Sequence, residues 1–144
     1  TIAFLSKRGI PVIGHGGLTP QAVNALGGYR ARGRDDAEAD KILADARAVA
    51  EAGCFALVLE GVMEEIAAEA TRIVPCPTIG IGASAQCDGQ ILVTEDMLGL
   101  FERTPRFVKR FGDLASEIGT AAESYARDVK ARAFPTEEQI YRPK

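Results

Sequence analysis

Phe55-Ala56-Leu57-Val58-Leu59 is an apolar run without a polar break, and it ends abruptly at Glu60. Its length suits a strand, and because it lacks alternation both faces of that strand need cover. A strand of this kind belongs in a parallel sheet flanked by helices. The segments on either side fit. Residues 11–13 form a short β-branched run stopping at Gly14, residues 77–81 form a third strand, and residues 91–93 a fourth.

Helical periodicity falls between these runs. Thr19 with Pro20 marks a helix start, and Gly27-Gly28 closes that short helix. Asp35 and Glu38 are spaced like a capping box before a helix that buries Ile42, Leu43, Ala46, Val49 and Ala50, with Gly53 as its C-terminal stop. Residues 63–73 read as a further helix, and Thr94 as an N-cap. Residues 105–111 and 113–132 read as two terminal helices, the second carrying Leu114, Ile118, Ala121, Tyr125 and Val129 on one stripe. Residues 1–112 thus make the βα units, and 113–144 the terminal helices and tail. Strands alternating with helices imply right-handed parallel crossovers. Two architectures remain open: a small doubly wound, flavodoxin-like sheet, or half of a (β/α)₈ barrel whose full length is about 250 residues. A half-barrel leaves two edges unpaired and its interior half filled, so the other half must be supplied.

Composition narrows the function classes. The net charge is −3 and the pI near 5.2, which gives no basic footprint for nucleic acid. No apolar run approaches the ~18 residues of a membrane span. Thr1 opens on a mixed stretch, which does not read as a signal peptide, and the start without Met suggests a processed, trimmed or incompletely observed chain. Cys54, Cys76 and Cys87 are an odd set without CxxC spacing, so they read as reduced, buried thiols of a cytoplasmic protein.

Polar residues directly after apolar strands carry the chemistry, because barrel active sites lie at the C-terminal strand ends. Glu60 is the sharpest such position. Burial there would raise its proton affinity toward that of a general base, and the competing reading is a cap or ion pair at the next helix. His15, the one histidine, lies between glycines that admit a ligand, or else is a satisfied turn residue. Gly80-Ile81-Gly82-Ala83 suggests a phosphate loop only weakly, and tight packing is the plainer account. Arg30, Arg32 and Arg34 read as a solvated loop face. Asp35-Asp36 reads as helix-start chemistry.

Taken in series, Gly14-His15-Gly16-Gly17-Leu18-Thr19-Pro20-Gln21, Gly27-Gly28-Tyr29-Arg30, Leu57-Val58-Leu59-Glu60-Gly61-Val62, Pro77-Thr78-Ile79-Gly80-Ile81-Gly82-Ala83 and Asp88-Gly89-Gln90-Ile91-Leu92-Val93 resemble ketopantoate hydroxymethyltransferases. Asp96-Met97-Leu98-Gly99 and Phe134-Pro135 with Glu137-Glu138 extend the likeness over nearly the whole chain. Met63 stands where the family usually has proline, and Gly16 where a larger apolar residue is common.

The resemblance implies an α/β (β/α)₈ TIM barrel of the phosphoenolpyruvate/pyruvate type, with strands five to eight and the C-terminal helices present here. It implies hydroxymethyl transfer from 5,10-methylenetetrahydrofolate to α-ketoisovalerate, assisted by Mg²⁺, for pantothenate synthesis. Glu60 falls on the general base, His15 on a substrate contact and Ile81 on an apolar substrate contact. The metal ligands fall in the N-terminal half, outside these residues. A homo-oligomer, commonly a decamer, is implied as well. Another barrel enzyme of the same type acting on a 2-oxo acid is the second enzymatic reading.

Overall fold

A computed structural model describes residues 1–19 and 30–143. The chain divides into two compact units, Thr1–Leu92 and Val93–Lys144. The helix expected after Thr19 and closed by Gly27-Gly28 lies outside the described residues.

The first unit contains α1 (Ile2–Ser6), β1 (Ile13–Gly17), α2 (Asp36–Glu51), β2 (Ala56–Glu60), α3 (Glu64–Ile73), β3 (Thr78–Ile81) and β4 (Gly89–Gln90). All strands are parallel, in the order β1-β2-β3-β4. A doubly wound sheet reverses its strand order at a switch point. This sheet does not, which removes the flavodoxin-like alternative.

Strand residues alternate between faces. One face carries Gly14, Leu57, Leu59 and Thr78, matched across the ladder. Leu57 and Leu59 are fully buried and form the core with Ile42, Ala46 and Ala50 of α2 and Ala67 and Ala70 of α3. Burying each leucine contributes roughly 1.5–3 kcal/mol. Helix and sheet approach so closely at Gly14 that a Cβ there would overlap Val49 Cγ1.

The opposite face carries Ile13, His15, Ala56, Val58, Glu60, Ile79 and Ile81. The core formed with α2 and α3 lies on the other face; on this one Ile13 is 50% exposed, while Ala56 and Ile81 are buried. The expectation that the 55–59 strand has cover on both faces is met fully at Leu57 and Leu59 and in part on the other face, where Ala56 is buried and Val58 half-buried. Phe55, at the strand's entry, is also exposed.

α2 begins with one half of its expected capping box, the Glu38 carboxylate bonding Gly33 and Arg34 rather than Asp35. Asp35 Oδ1 accepts the Glu38 N–H at 2.8 Å. Its end is closed by Gly53, whose φ of +98° suits a residue without a Cβ. In α3, the Thr71 hydroxyl lies 2.9 Å from that of Thr78, tying the helix to β3.

Several boundaries differ from the sequence reading. The first strand is not 11–13 but Ile13–Gly17, so His15 is a strand residue rather than a turn residue. Glycines carry no strand signature, yet here their small size permits the close helix contact. The fourth strand is Gly89–Gln90, two residues before the apolar run at 91–93. Ile91 N–H still bonds to Gly80 O at 3.0 Å, after which Val93, not Thr94, caps the next helix. α1 had no sequence expectation.

The second unit holds α4 (Thr94–Met97), α5 (Leu114–Lys130) and a 3₁₀ turn (Glu137–Gln139). The helix expected at 105–111 is a single turn, Val108 N–H to Pro105 O. The Phe111 N–H goes instead to Met97 O at 2.8 Å, and the Arg110 guanidinium bonds the carbonyls of Phe101 and Glu102. Those partners satisfy the backbone without an α-helical ladder. Along α5, Ile118, Tyr125 and Val129 stay exposed, and the Tyr125 ring meets Phe134 edge-on at 5.6 Å. Among the described residues no helix is long and apolar enough to cross a membrane.

Candidate active site

Three adjacent parallel strands end at one side of the first unit, and each delivers one residue named from the sequence. Register pairs Gly17 with Glu60, and Glu60 with Ile81. His15, two residues before Gly17, lies on the same face. Glycine opposite Glu60 leaves room for the imidazole to reach along the sheet. The result is a contact of 3.1 Å between His15 Nε2 and Glu60 Oε2. Glu60 is largely shielded, with 15% of its side chain exposed, and His15 keeps 34%. Ile81, 7% exposed, gives the pair an apolar flank.

Glu60 and Ile81 stand at strand ends as the sequence suggests, whereas His15 lies within β1, and its contact with the carboxylate has no counterpart in the sequence reading. A signal for it exists in the register. With Gly17 opposite Glu60, the nearest side chain on β1 on that face is residue 15.

The backbone around Glu60 is fixed from both neighbours. Its carbonyl accepts Leu18 N–H at 2.8 Å, and Gly61 N–H donates to Ile81 O at 2.9 Å. Gly61 has φ of +57°, which turns the chain away and leaves the carboxylate at the strand end. Gly17, at φ +85°, has no space for a Cβ, which would overlap Glu60 O and Val62 Cγ2.

The loop after β3 is built from packing, as the plainer reading held. A Cβ on Gly80 would lie 2.9 Å from Gln90 Oε1 and 3.2 Å from Cys87 Sγ, and no helix follows Gly82 directly. Gln90 Nε2 donates to Ser84 O at 2.8 Å, and buried Ser84 donates to Glu64 Oε1 at 2.9 Å. The Asp88 carboxylate accepts the Thr78 N–H at 2.8 Å and is held below the usual carboxylate range by that bond and by the Thr78 hydroxyl. Burial pushes the Cys54 thiol up, with Cys76 adding to the effect. The three cysteines are free thiols.

Of the three arginines, Arg30 and Arg34 are exposed, as expected of a solvated loop face. Arg32 is not a solvated loop residue. Its guanidinium pairs with Glu38 Oε1 at 2.5 Å, and its backbone joins the sheet end beside Val62. A cleft of about 700 Å³ runs from His15, Gly17 and Arg32 along α2. Glu60 is not in its wall, so the site is defined by the His15–Glu60 pair rather than by that cleft.

A partly shielded carboxylate with an imidazole on one oxygen can accept a proton from carbon or oxygen next to it, and the second ring nitrogen, Nδ1, can accept from a substrate hydroxyl or, in the protonated ring, donate to a substrate oxygen. Among the described residues no cluster of three or more His, Cys, Asp or Glu side chains could hold a metal ion.

The sequence model of the ketopantoate hydroxymethyltransferase family matches residues 1–137. The chain is 68% identical over 144 residues to 3-methyl-2-oxobutanoate hydroxymethyltransferase of Erythrobacter litoralis, covering all of this chain and 50% of that protein. The relative of the same name from Novosphingobium aromaticivorans is also 68% identical over 144 residues, again 100% and 50%. The one from Rhodospirillum rubrum is 61% identical over 142 residues, 98% and 51%. The chain spans about half the length of the curated relatives it matches.

Proposed function

This chain belongs to the ketopantoate hydroxymethyltransferase family, and we propose that it supplies the second half of a (β/α)₈ barrel that makes ketopantoate from α-ketoisovalerate. The observation that carries the reading is the sheet face opposite the α2 and α3 core. It holds Glu60, His15 and Ile81 at one end and exposed Ile13 further along. In a closed barrel that face is the interior, and the strand ends form the mouth. The first half of the family's polypeptide, four further βα units, pairs with the free edges of β1 and β4.

In this reading Glu60 takes the C3 proton of α-ketoisovalerate. The C–H bond breaks, its electrons form the enolate, and the proton resides on the Glu60 carboxylate. The enolate carbon then bonds the methylene carbon of 5,10-methylenetetrahydrofolate. Both C–N bonds from that carbon to the folate break, and their electrons return to the nitrogens. Water supplies the product hydroxyl, and tetrahydrofolate leaves after taking one proton from that water and one from Glu60. His15 holds Glu60 by one oxygen and orients a substrate oxygen. Ile81 contacts the methyl groups of the substrate. The described residues do not fit a Mg²⁺ site, since His15 and Glu60 are two donors alone. Ligands for Mg²⁺ belong to the other half. The exposed stripe on α5 supports a homo-oligomer, a decamer in the family pattern, in which a neighbour covers Ile118, Tyr125 and Val129.

The test combines the chain with the first half of the Erythrobacter litoralis relative and follows exchange of the α-ketoisovalerate C3 proton into D₂O by NMR. Glu60→Gln slows exchange by about 10²–10⁴-fold while substrate still binds. Exchange at the unsubstituted rate in that variant overturns the assignment.

A further inference from the structure

The geometry points to Glu38 as a positioning residue for Glu60, acting through the segment at 32–34. Glu38 lies in the first turn of α2 and touches neither the sheet face opposite the core nor Glu60. In an ordinary capping box its carboxylate would return to the N–H of the capping residue, Asp35. It reaches further back. Oε2 accepts the N–H groups of Gly33 at 2.7 Å and Arg34 at 3.1 Å, and Oε1 takes the Arg32 guanidinium at 2.5 Å. Three consecutive residues are gathered on one carboxylate that is 20% exposed. Charge-assisted bonds of this kind are the stronger class.

What those residues hold is the exit of β2. Arg32 N–H donates to Gly61 O at 2.7 Å, and Arg32 O accepts Met63 N–H at 2.9 Å. The pairing forms a parallel bridge between Arg32 and Val62. Gly61, Val62 and Met63 follow Glu60 directly, and Gly61 makes the turn that leaves the carboxylate at the mouth. The carboxylate of Glu38 therefore fixes a segment whose backbone in turn fixes the turn behind Glu60. A misplacement of about 1 Å at a reacting group is enough to cost large factors in rate.

This inference rests on Glu60 being the base, and the test separates the two claims. Glu38→Ala, Glu38→Gln, Glu60→Gln and the Glu38→Ala/Glu60→Gln double variant are compared in the same C3-proton exchange assay, with the first half of the Erythrobacter litoralis relative present. Folded content is checked by circular dichroism. Glu38→Ala lowers kcat by about tenfold or more with KM within about twofold. The double variant is no slower than Glu60→Gln, because two residues acting through one group are non-additive. Glu38→Gln, which can still accept the Gly33 and Arg34 N–H groups, recovers part of kcat. It also serves as the probe if the alanine variant does not fold. Equal factors from Glu38→Ala in both backgrounds, an unchanged kcat in Glu38→Ala, or, where the alanine variant does not fold, an unchanged kcat in Glu38→Gln, overturn the positioning role alone. Wild-type exchange in Glu60→Gln overturns the base assignment, and the positioning role falls with it.

Discussion

His15 Nε2 lies 3.1 Å from Glu60 Oε2, although the register places His15 opposite Val58 and Glu60 opposite Gly17. The contact is diagonal, and it exists because Gly17 has no side chain to fill the lane between the two. A neutral imidazole donates its Nε2–H to the carboxylate, and a protonated one pairs with it as a cation. In either form one carboxylate oxygen is held while the other can face a substrate.

The pair makes His15→Ala informative. With the histidine gone, Glu60 keeps its backbone setting but loses the imidazole that orients it. The expected outcome is a fall in C3-proton exchange of about tenfold, well short of the 10²–10⁴-fold expected for losing a general base. Steady-state exchange kinetics of His15→Ala and Glu60→Gln measure the two side by side. A histidine variant as slow as the glutamate variant would reassign the base.

Gly17→Ala probes the same lane through the backbone. At φ +85° an alanine is strained, and its Cβ would overlap Glu60 O and Val62 Cγ2. Backbone strain of this kind costs of order 1–3 kcal/mol, and the overlap adds to it. The expected outcome is a lower urea midpoint for the chain and a loss of exchange activity beyond that of Gly16→Ala, since Gly16 has room for a Cβ 3.7 Å from Leu59.

How much of this is legible in the sequence depends on what each residue's side chain reports. The 55–59 run announces its strand and Glu60 its strand end, because apolar side chains record burial directly. The Asp35 cap and the Gly53 stop are equally readable, as their roles are local. Gly14 to Gly17 read as a turn yet form a strand, since glycines are silent about whether they are flexible or squeezed. Gly89-Gln90 escape notice for a similar reason. The His15–Glu60 contact and the Arg32–Glu38 pair are hidden because both join residues through register or loop closure rather than through sequence spacing. Arg32 in particular reads as one of three equivalent loop arginines, whereas its backbone extends the sheet.

Asp88 gives the fold a defined acid sensitivity. The Thr78 N–H and hydroxyl hold its carboxyl below the ordinary value, about 3.9 for an unfolded chain. A group whose folded value is depressed stabilises the fold fully above the unfolded value, and that contribution disappears as pH falls through the folded one. Asp88→Asn should therefore lower the urea midpoint at pH 7 and matter progressively less as the pH drops below about 4. Urea titrations of both proteins across that range check it. A gap that widens toward acid would have the wrong sign for this carboxylate.

Ile13 and Leu57 offer the most direct test of the half-barrel, because they belong to adjacent strands but opposite faces. Leu57 is fully buried under the helices, so Leu57→Ala should cost about 2–5 kcal/mol in the chain by itself. Ile13 is 50% exposed on the opposite face, so Ile13→Asp should change the chain's own stability by no more than about 0.5 kcal/mol. Pairing with the first half reverses the ranking for Ile13. The closed interior would then bury an unpaired carboxylate, which is far more costly than the loss of a methylene contact. Urea denaturation of each variant alone, followed by sedimentation with the first half of the Erythrobacter litoralis relative, reads both quantities. The half-barrel requires Ile13→Asp to fold normally and fail to associate. If Ile13→Asp unfolds the isolated chain as Leu57→Ala does, this face already has its cover within the 144 residues, and no second half is needed to explain it.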